Sequence, residues 1–549
     1  MGVAGRDRSA GSGRVPGRAL GMLVTSAAFA ALVAYPLARL TGTLGDLGPE
    51  AITRALAGAG GRAVLTSIGL GVVVAVLVVV IGTTTALIGE RASSRGRWLV
   101  RAGMVGPLFV PPFVAALGWA AAYGPRGLTD RWLGISLPGT YGLPGVITVL
   151  TVEAVPLAYL IVAAALAGRA EPDLERAARA SGATSLDALR TVTLPLLRRP
   201  ILGSGVLAFI MTLNAFGVPA VLGIPGGVST ITTRLYQDLA FSADPASFDR
   251  AVVLALILVA IAFVTVTASD RLLGGHSSPR TAVTSSGPAT PGRRSTVAVA
   301  AVMVGVIATA AVPFVALILV ALTRAVGLPP TPENWTLANF AEVLDPRILG
   351  ALARSVGLAL AAATIVTVLG GIVVAVGRRA GRVLGGVASI GFAVPGSTLA
   401  LAVLIGYGGA LRDTLLIILI VYLGKFWALG HRPIAGSVDR LPNDLLRAAR
   451  ASGARPRDVF RSIVLPLLRP AIIGAWLIVF LFGLHEVTMS SLLYGPGTDT
   501  LAVVTLNVQQ LGDPTITAAL AVALGLVVGV GAIPVLLVRR AIDRPPGRE

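Results

Sequence analysis

The side chains of this 549-residue chain that could do chemistry are few and scattered. There is no cysteine, which removes disulfides, thiolate metal sites and cysteine nucleophiles. The three histidines, His276, His431 and His485, lie too far apart in sequence to form a His-rich metal motif. The one lysine, Lys425, is followed by Phe426, so no Gly-Lys-Ser/Thr loop exists to hold nucleotide phosphates. What remains is a set of polar groups set into apolar sequence: Glu153, Asn214, Lys425, His485 and Glu486. An ionisable group in hydrocarbon costs roughly 2.5–3.5 kcal/mol on insertion scales, and such groups usually face a pathway or a partner. These five are pathway candidates. No nucleophile–base pair and no metal cluster can be assembled from them, so no catalytic group, metal site or cofactor is expected.

The elements that must position these groups are membrane spans. Apolar residues make up 55% of the chain and charged residues 13%, against about 25% charged in a soluble domain. A helix needs about 20 apolar residues to cross a hydrocarbon core of about 30 Å. Twelve runs qualify: 19–40, 63–88, 98–123, 142–167, 200–223 and 251–268, then 297–322, 352–377, 384–411, 413–435, 470–493 and 515–538. The expected fold class is an all-α polytopic membrane protein. The net charge of +19 does not point to nucleic acid, because the arginines sit in short segments between apolar runs without interleaved aromatics. With the N-terminus in the cytoplasm, 33 of the 45 basic residues fall on the cytoplasmic side, 11 outside, and Lys425 within a span. Arg378-Arg379 and Arg539-Arg540, each directly after an apolar run, are the sharpest markers of that orientation. The stretch 19–40 is longer than a secretory apolar region and reads as a retained helix.

Residues 270–296, rich in Ser, Thr, Pro, Gly and Arg, read as a flexible cytoplasmic linker between two six-span halves, 1–269 and 297–549. The halves repeat. Residues 173–198 and 444–469 align without a gap, 17 of 26 positions being identical. The run Arg176-Ala-Ala-Arg-Ala-Ser-Gly-Ala183 recurs as Arg447-Ala-Ala-Arg-Ala-Ser-Gly-Ala454, and Leu194-Pro-Leu-Leu-Arg198 as Leu465-Pro-Leu-Leu-Arg469. Six spans per half is an even number, so the repeats are parallel, about an axis along the membrane normal. Both repeated loops, 169–199 and 432–469, then face the cytoplasm, and a pathway lies between the halves. At the same offset Asn214 falls on His485, and Glu153 falls one position from Lys425. Leu174, Ala177, Ala178, Leu186 and Leu189 suit one face of a short helix. Gly182 marks a turn between two helices, and Pro195 and Pro466 mark where the chain re-enters the membrane. Two near-identical loops on one side predict a docking surface for a symmetric partner.

The repeated loop resembles the EAA loop of ABC importer permeases: Glu-Ala-Ala, three residues, Gly, nine residues, Ile, one residue, Leu-Pro. Ala177-Ala178, Gly182, Val192 and Leu194-Pro195 fit that spacing, and Ala448-Ala449, Gly453, Ile463 and Leu465-Pro466 fit it again. Arg176 and Arg447 stand where the family has glutamate; Glu175 is adjacent in the first half, and Leu446 in the second. The resemblance implies a permease of the bacterial inner membrane, whose two loops each dock on an ATP-binding subunit, as on a homodimer. It also implies an extracytoplasmic binding protein that delivers the substrate. The fused two-half arrangement resembles the iron(III) and thiamine branch. Gly118-Trp119 through Leu128, Phe216-Gly-Val-Pro219, and His485-Glu486 through Gly497 favour iron(III), with thiamine, phosphonate or polyamine as alternatives. An ion-coupled secondary transporter is the rival of another class, and it gives no reason for the paired loops.

Overall fold

In the computed structural model residues 16–167, 171–273, 293–376 and 378–542 are described. Most of the linker, 274–292, and the loop residues 168–170 lie outside them. Within hydrocarbon every backbone N–H and C=O must find a partner in its own segment, so the apolar runs become helices. In the first half these are α1 (Ala19–Leu47), α2 (Ala59–Arg91), α3 (Ser94–Phe109), α4 (Pro112–Tyr123) and α5 (Leu143–Ala167), then α6 (Glu171–Ala180), α7 (Ser185–Asn214), α8 (Ile231–Ala240) and α9 (Pro245–Leu273). The second half repeats the series as α10 (Ser295–Leu322), α11 (Pro346–Ala375), α12 (Val383–Ala393), α13 (Gly396–Leu411) and α14 (Leu415–Val438), then α15 (Asn443–Ala451), α16 (Arg457–Leu484), α17 (Leu501–Leu511) and α18 (Pro514–Ile542). Among the described residues the one β pairing is an isolated bridge between Thr323 and Trp335.

Ten helices are long and apolar enough to span, and the other two expected spans are bent pairs. Span 98–123 is α3 and α4, meeting at 103° across Val110-Pro111; span 384–411 is α12 and α13, meeting at 97° across Val394-Pro395. Proline lacks the N–H that would continue the ladder and disfavours helical backbone in the residue before it. Both pairs still carry the chain across. Arg62 of α2 and Leu143 of α5 share one small cavity, while at the other end Tyr159 of α5 donates to Glu90 of α2 (3.5 Å). These two helices therefore run parallel, and the chain between them has returned. In α11 and α14, Ala359 packs near Tyr422 and Gly370 meets Gly430, so they too run parallel. With each bent pair taken as one span, the described residues hold twelve candidate crossings, an arrangement that puts both repeated loops on one side.

Two further expectations are corrected. Spans 200–223 and 470–493 shift toward the N-terminus: α7 ends at Asn214 and α16 at Leu484. The later part of each loop is already helix, and Pro195 and Pro466 stand just after a π turn, in the first turn of the α-helix that follows. The apolar residues 216–223 are buried in protein instead of spanning lipid.

Each half is built on three mutually packed helices, α2, α5 and α7 in one and α11, α14 and α16 in the other. The first helix of each half crosses to the opposite half: α1 packs on α11, α12 and α13, and α10 on α2, α3 and α4. Each exchanged helix carries a π turn just before a proline, Ala30–Ala34 before Pro36 and Ile307–Ala311 before Pro313. Such a turn frees carbonyls, and the receiving half supplies the donors. Tyr407 donates to Ala31 O (2.7 Å), and its counterpart Tyr123 donates to Ala308 O. Trp119 Nε1 donates to Thr309 O (3.0 Å), the carbonyl that Pro313 leaves without its N–H.

Glycines let the core helices close. A Cβ on Gly370 would sit 2.8 Å from the carbonyl of Gly430, and one on Gly82 would meet Ala158 Cβ at 2.6 Å, the same contact in the other half. Small residues at helix crossings are the usual means of close approach in membranes. Gly370→Leu is therefore expected to destabilise by roughly 1–3 kcal/mol through overpacking. Gly371→Ala, whose Cβ would meet nothing within 4 Å, is expected to leave the thermal midpoint in detergent unchanged.

Candidate functional site

Two places collect the candidate residues: a cavity between the halves and the pair of loops on one membrane side. The cavity encloses about 260 Å³ and is lined by Glu153, Asn214, Lys425, His485 and Glu486 together. Both halves contribute: the α3–α4 break and α5 from the first, α14 and the residues after α16 from the second. Away from the repeated loops, α8 and α17 join the halves. They have 10 and 11 residues, too short to span at 1.5 Å per residue. Their N-terminal amides are bonded alike, Ile231 N to Ser67 Oγ (2.8 Å) and Leu501 N to Ser355 Oγ (2.9 Å). Gln510 Nε2 of α17 donates to Tyr236 Oη of α8 at 3.3 Å, across the junction.

The five groups differ in how free they are. Lys425 Nζ donates to Phe392 O (2.8 Å) and Val394 O (2.7 Å) and lies 5.2 Å over the Phe392 ring. Those carbonyls sit at the α12–α13 break, so the ammonium caps the C-terminal end of α12, where a cation suits the dipole. Glu486 accepts from Met489 N (2.8 Å), Ser490 N (3.0 Å) and Ser490 Oγ (3.2 Å), capping the turn after α16. Glu153 has no hydrogen bond or ion pair among the described residues, and it also borders a smaller cavity beside Trp119 and Pro313. Asn214 donates to Ile210 O (2.7 Å), but its Oδ1 is buried without a partner. An orphaned polar atom on this cavity suits a transient ligand or water. Among the described residues no three His, Asp or Glu groups converge on a metal position.

The loops take the helix–turn–helix form expected around Gly182. Gly182 has φ +94° and Gly453 φ +76°, where a side chain is disfavoured. Each closes its helix with a matching bond, Ala183 N to Ala178 O and Ala454 N to Ala449 O, both 3.1 Å. Thr184 then caps the next turn in a reciprocal box with Asp187. The bonds from the Thr184 side chain and backbone hold the Asp187 carboxyl below its usual range. In the second half Arg455-Pro456 replaces Thr184-Ser185, and proline at the first turn replaces the box. Leu174 and Leu186 stay about half exposed, as do Leu445 and Phe460, so the expected apolar face is uncovered in both copies. Arg176, Ala177, Arg447 and Ala448 are also exposed, and Ala178 and Ala449 are partly covered. Leu194, Pro195, Leu465 and Pro466 begin α7 and α16 proper.

Sequence reasoning missed one contact. Glu175 accepts from both Arg91, at the end of α2, and the buried Thr193. The signal was the carboxylate beside the motif position, but its partner lies 84 residues away.

Up to twelve candidate spans among the described residues, around a shared cavity and with paired repeated loops, are the arrangement of a membrane permease. The comparisons agree. The profile of binding-protein-dependent transport system inner membrane components matches residues 78–280 and 367–545, and the chain belongs to that family. It is 25% identical over 506 residues to a probable ABC transporter permease, y4fN of Sinorhizobium fredii, covering 85% of this chain and 86% of that protein. It is 24% identical over 474 residues to the Fe(3+)-transport permease FbpB 2 of Haemophilus influenzae, covering 84% and 86%. One part is 30% identical over 225 residues to the putrescine permease PotI of Escherichia coli, covering 38% of this chain and 79% of PotI. Another match, 34% over 212 residues, is to the molybdenum permease ModB of Mycobacterium tuberculosis, covering 37% and 76%. The chain is thus a multi-pass ABC importer permease, a transport subunit of a family that works with ATP-binding and substrate-binding partners.

The site predicts a contrast. Lys425→Met leaves two partly buried carbonyls without their donor, at up to about 1–3 kcal/mol for each group left unpaired, and lowers the thermal midpoint. Glu153→Gln breaks no bond and leaves the midpoint where it was.

Proposed function

We propose that the chain is the fused permease of an ATP-driven iron(III) importer. The observation that carries the substrate is the chemistry of the central cavity. Its two carboxyl groups come from opposite halves, and its one ammonium is turned back onto backbone carbonyls. Glu153 is left to offer oxygen to a passing cation, and hard oxygen donors suit a hard ion. An oxyanion such as molybdate or a phosphonate gains nothing there. The full-length likeness to an Fe(3+)-transport permease supports iron. The second reading is a polyamine, which the same carboxyl groups and the likeness to a putrescine permease favour.

On this reading a binding protein docks outside and releases its cargo into the cavity, where contacts need only be weak. The N-terminus, the C-terminus and both loops face the cytoplasm, as the arginine bias requires. Leu174 and Leu186 on one loop, and Leu445 and Phe460 on the other, dock on two copies of one ATP-binding subunit. Closure of that pair draws the loops together and rocks the halves apart at the α8–α17 junction. ATP hydrolysis belongs to the partner, and this chain conducts and transduces.

Cells carrying the chain are expected to accumulate labelled iron(III), and deletion abolishes this while thiamine and putrescine uptake stay unchanged. Gly182→Trp with Gly453→Trp places a bulky side chain at two left-handed positions on the docking surface and abolishes uptake at equal membrane abundance. A fall in putrescine or thiamine uptake instead replaces the substrate and keeps the permease. Uptake that survives ATP depletion with an intact proton gradient makes the protein a secondary transporter.

A further inference from the structure

The two loops are near-copies in sequence, yet they are fastened to the membrane helices by different means. In the first half the Glu175 carboxylate is mostly buried, with 14% of its side chain exposed, and Arg91 and Thr193 both bond to it. Arg91 also reaches Thr193 Oγ1 at 3.4 Å, and Arg179 lies 4.0 Å from the carboxylate. Three elements meet at this point: α2 through Arg91, α6 through Glu175, and the π turn opening α7 through the fully buried Thr193. The neighbouring Glu90 ties the same end of α2 to α3, accepting from Arg101 at 2.9 Å. A force on α6 is therefore passed by charge-assisted bonds into α2, the helix at the centre of the first half.

In the second half Leu446 stands at the position of Glu175 and Val464 at that of Thr193. Both are partly buried, and neither can accept or donate. The ion pair recorded on α15, Arg447 with Asp444 at 3.9 Å, is nearly fully exposed and lies within that helix. Apolar side chains at these two positions can pack without fixing direction or register, whereas two bonds on one carboxylate fix both.

We infer that Glu175 and Arg91 are positioning residues that couple the first loop stiffly to its helical bundle, while the second loop is held compliantly. The inference rests on the proposed docking role of the loops. It gives the two otherwise equivalent docking events different mechanical outputs, with the first loop as the principal transmitter.

Glu175→Leu combined with Thr193→Val copies into the first loop the pair that the second already tolerates, so it tests the clamp without a foreign arrangement. In the full-length chain in lipid nanodiscs, amide exchange across 171–184 is expected to be slower than across 443–455. The double variant should speed exchange across 171–184 by about two- to fivefold, the scale for losing one partly exposed ion-paired contact. Exchange across 443–455 should not change. Uptake of whichever of labelled iron(III), putrescine or thiamine the wild type accumulates should fall by a similar factor at unchanged membrane abundance. Exchanging the charges, Arg91→Glu with Glu175→Arg, should restore part of both readouts, while Glu175→Arg alone should not. Equal exchange of the two loops in the wild type, or unchanged exchange in the double variant, overturns the clamp. Faster exchange with unchanged uptake makes the ion pair structural and overturns its positioning role. If instead wild-type uptake proves independent of ATP, the docking reading fails by itself, and the exchange comparison still decides the clamp.

Discussion

No backbone carbonyl can be left bare in hydrocarbon, and the architecture turns on how this chain meets that constraint where its helices break. The breaks fall at proline and recur in both halves, before Pro36 and Pro313 in the exchanged helices and at Pro111 and Pro395 in the bent spans. Partners for freed carbonyls come from elsewhere in the fold: Tyr407 for Ala31, Tyr123 and Trp119 for Ala308 and Thr309, Lys425 for Phe392 and Val394. Several of these bonds join one half to the other. The halves are thus interlocked by the repair of their own helix breaks, and a charge deep in α14 needs no substrate to explain it.

The same breaks set how far the sequence could be read. Apolar length finds a crossing but not its direction, so two bent spans looked continuous, although Pro111-Pro112 and Pro395 carried the signal. Apolar length also misplaced spans 200–223 and 470–493, because residues such as Val221 and Leu222 are buried against protein rather than lipid. The repeat and its offset were legible because they are properties of order along the chain. They put Asn214 opposite His485 and Glu153 near Lys425, and the structure brings all four to one cavity. What the offset could not show is engagement. Lys425 and Glu486 look like pathway charges in sequence and are caps in the fold, while the Arg91–Glu175 contact joins residues no local pattern relates.

The cavity is therefore pseudo-symmetric in position and not in chemistry. At the position of Lys425 the first half has Ala154, with Glu153 beside it, so the two α5–α14 equivalents present opposite charges at one level. Only the positive one is spent on backbone. The loss of exact repetition at this level is what leaves Glu153 in the cavity without a backbone partner.

A similar departure marks the loops. The helix, the positive-φ glycine and the Leu-Pro element are repeated, as the proposed docking on two like partner surfaces would require. Elsewhere in the loops the copies differ: a capping box against a proline start in the turn, and, where the loop packs on its bundle, a clamped carboxylate against leucine and valine. Fusion of the halves into one chain fixes which loop belongs to which bundle. An unequal pair can then persist, each loop paired with its own half at every assembly. On the proposed docking, a symmetric ATP-binding dimer would deliver equal displacements to unequal springs, so the motion of the halves need not share the symmetry of the force that drives it.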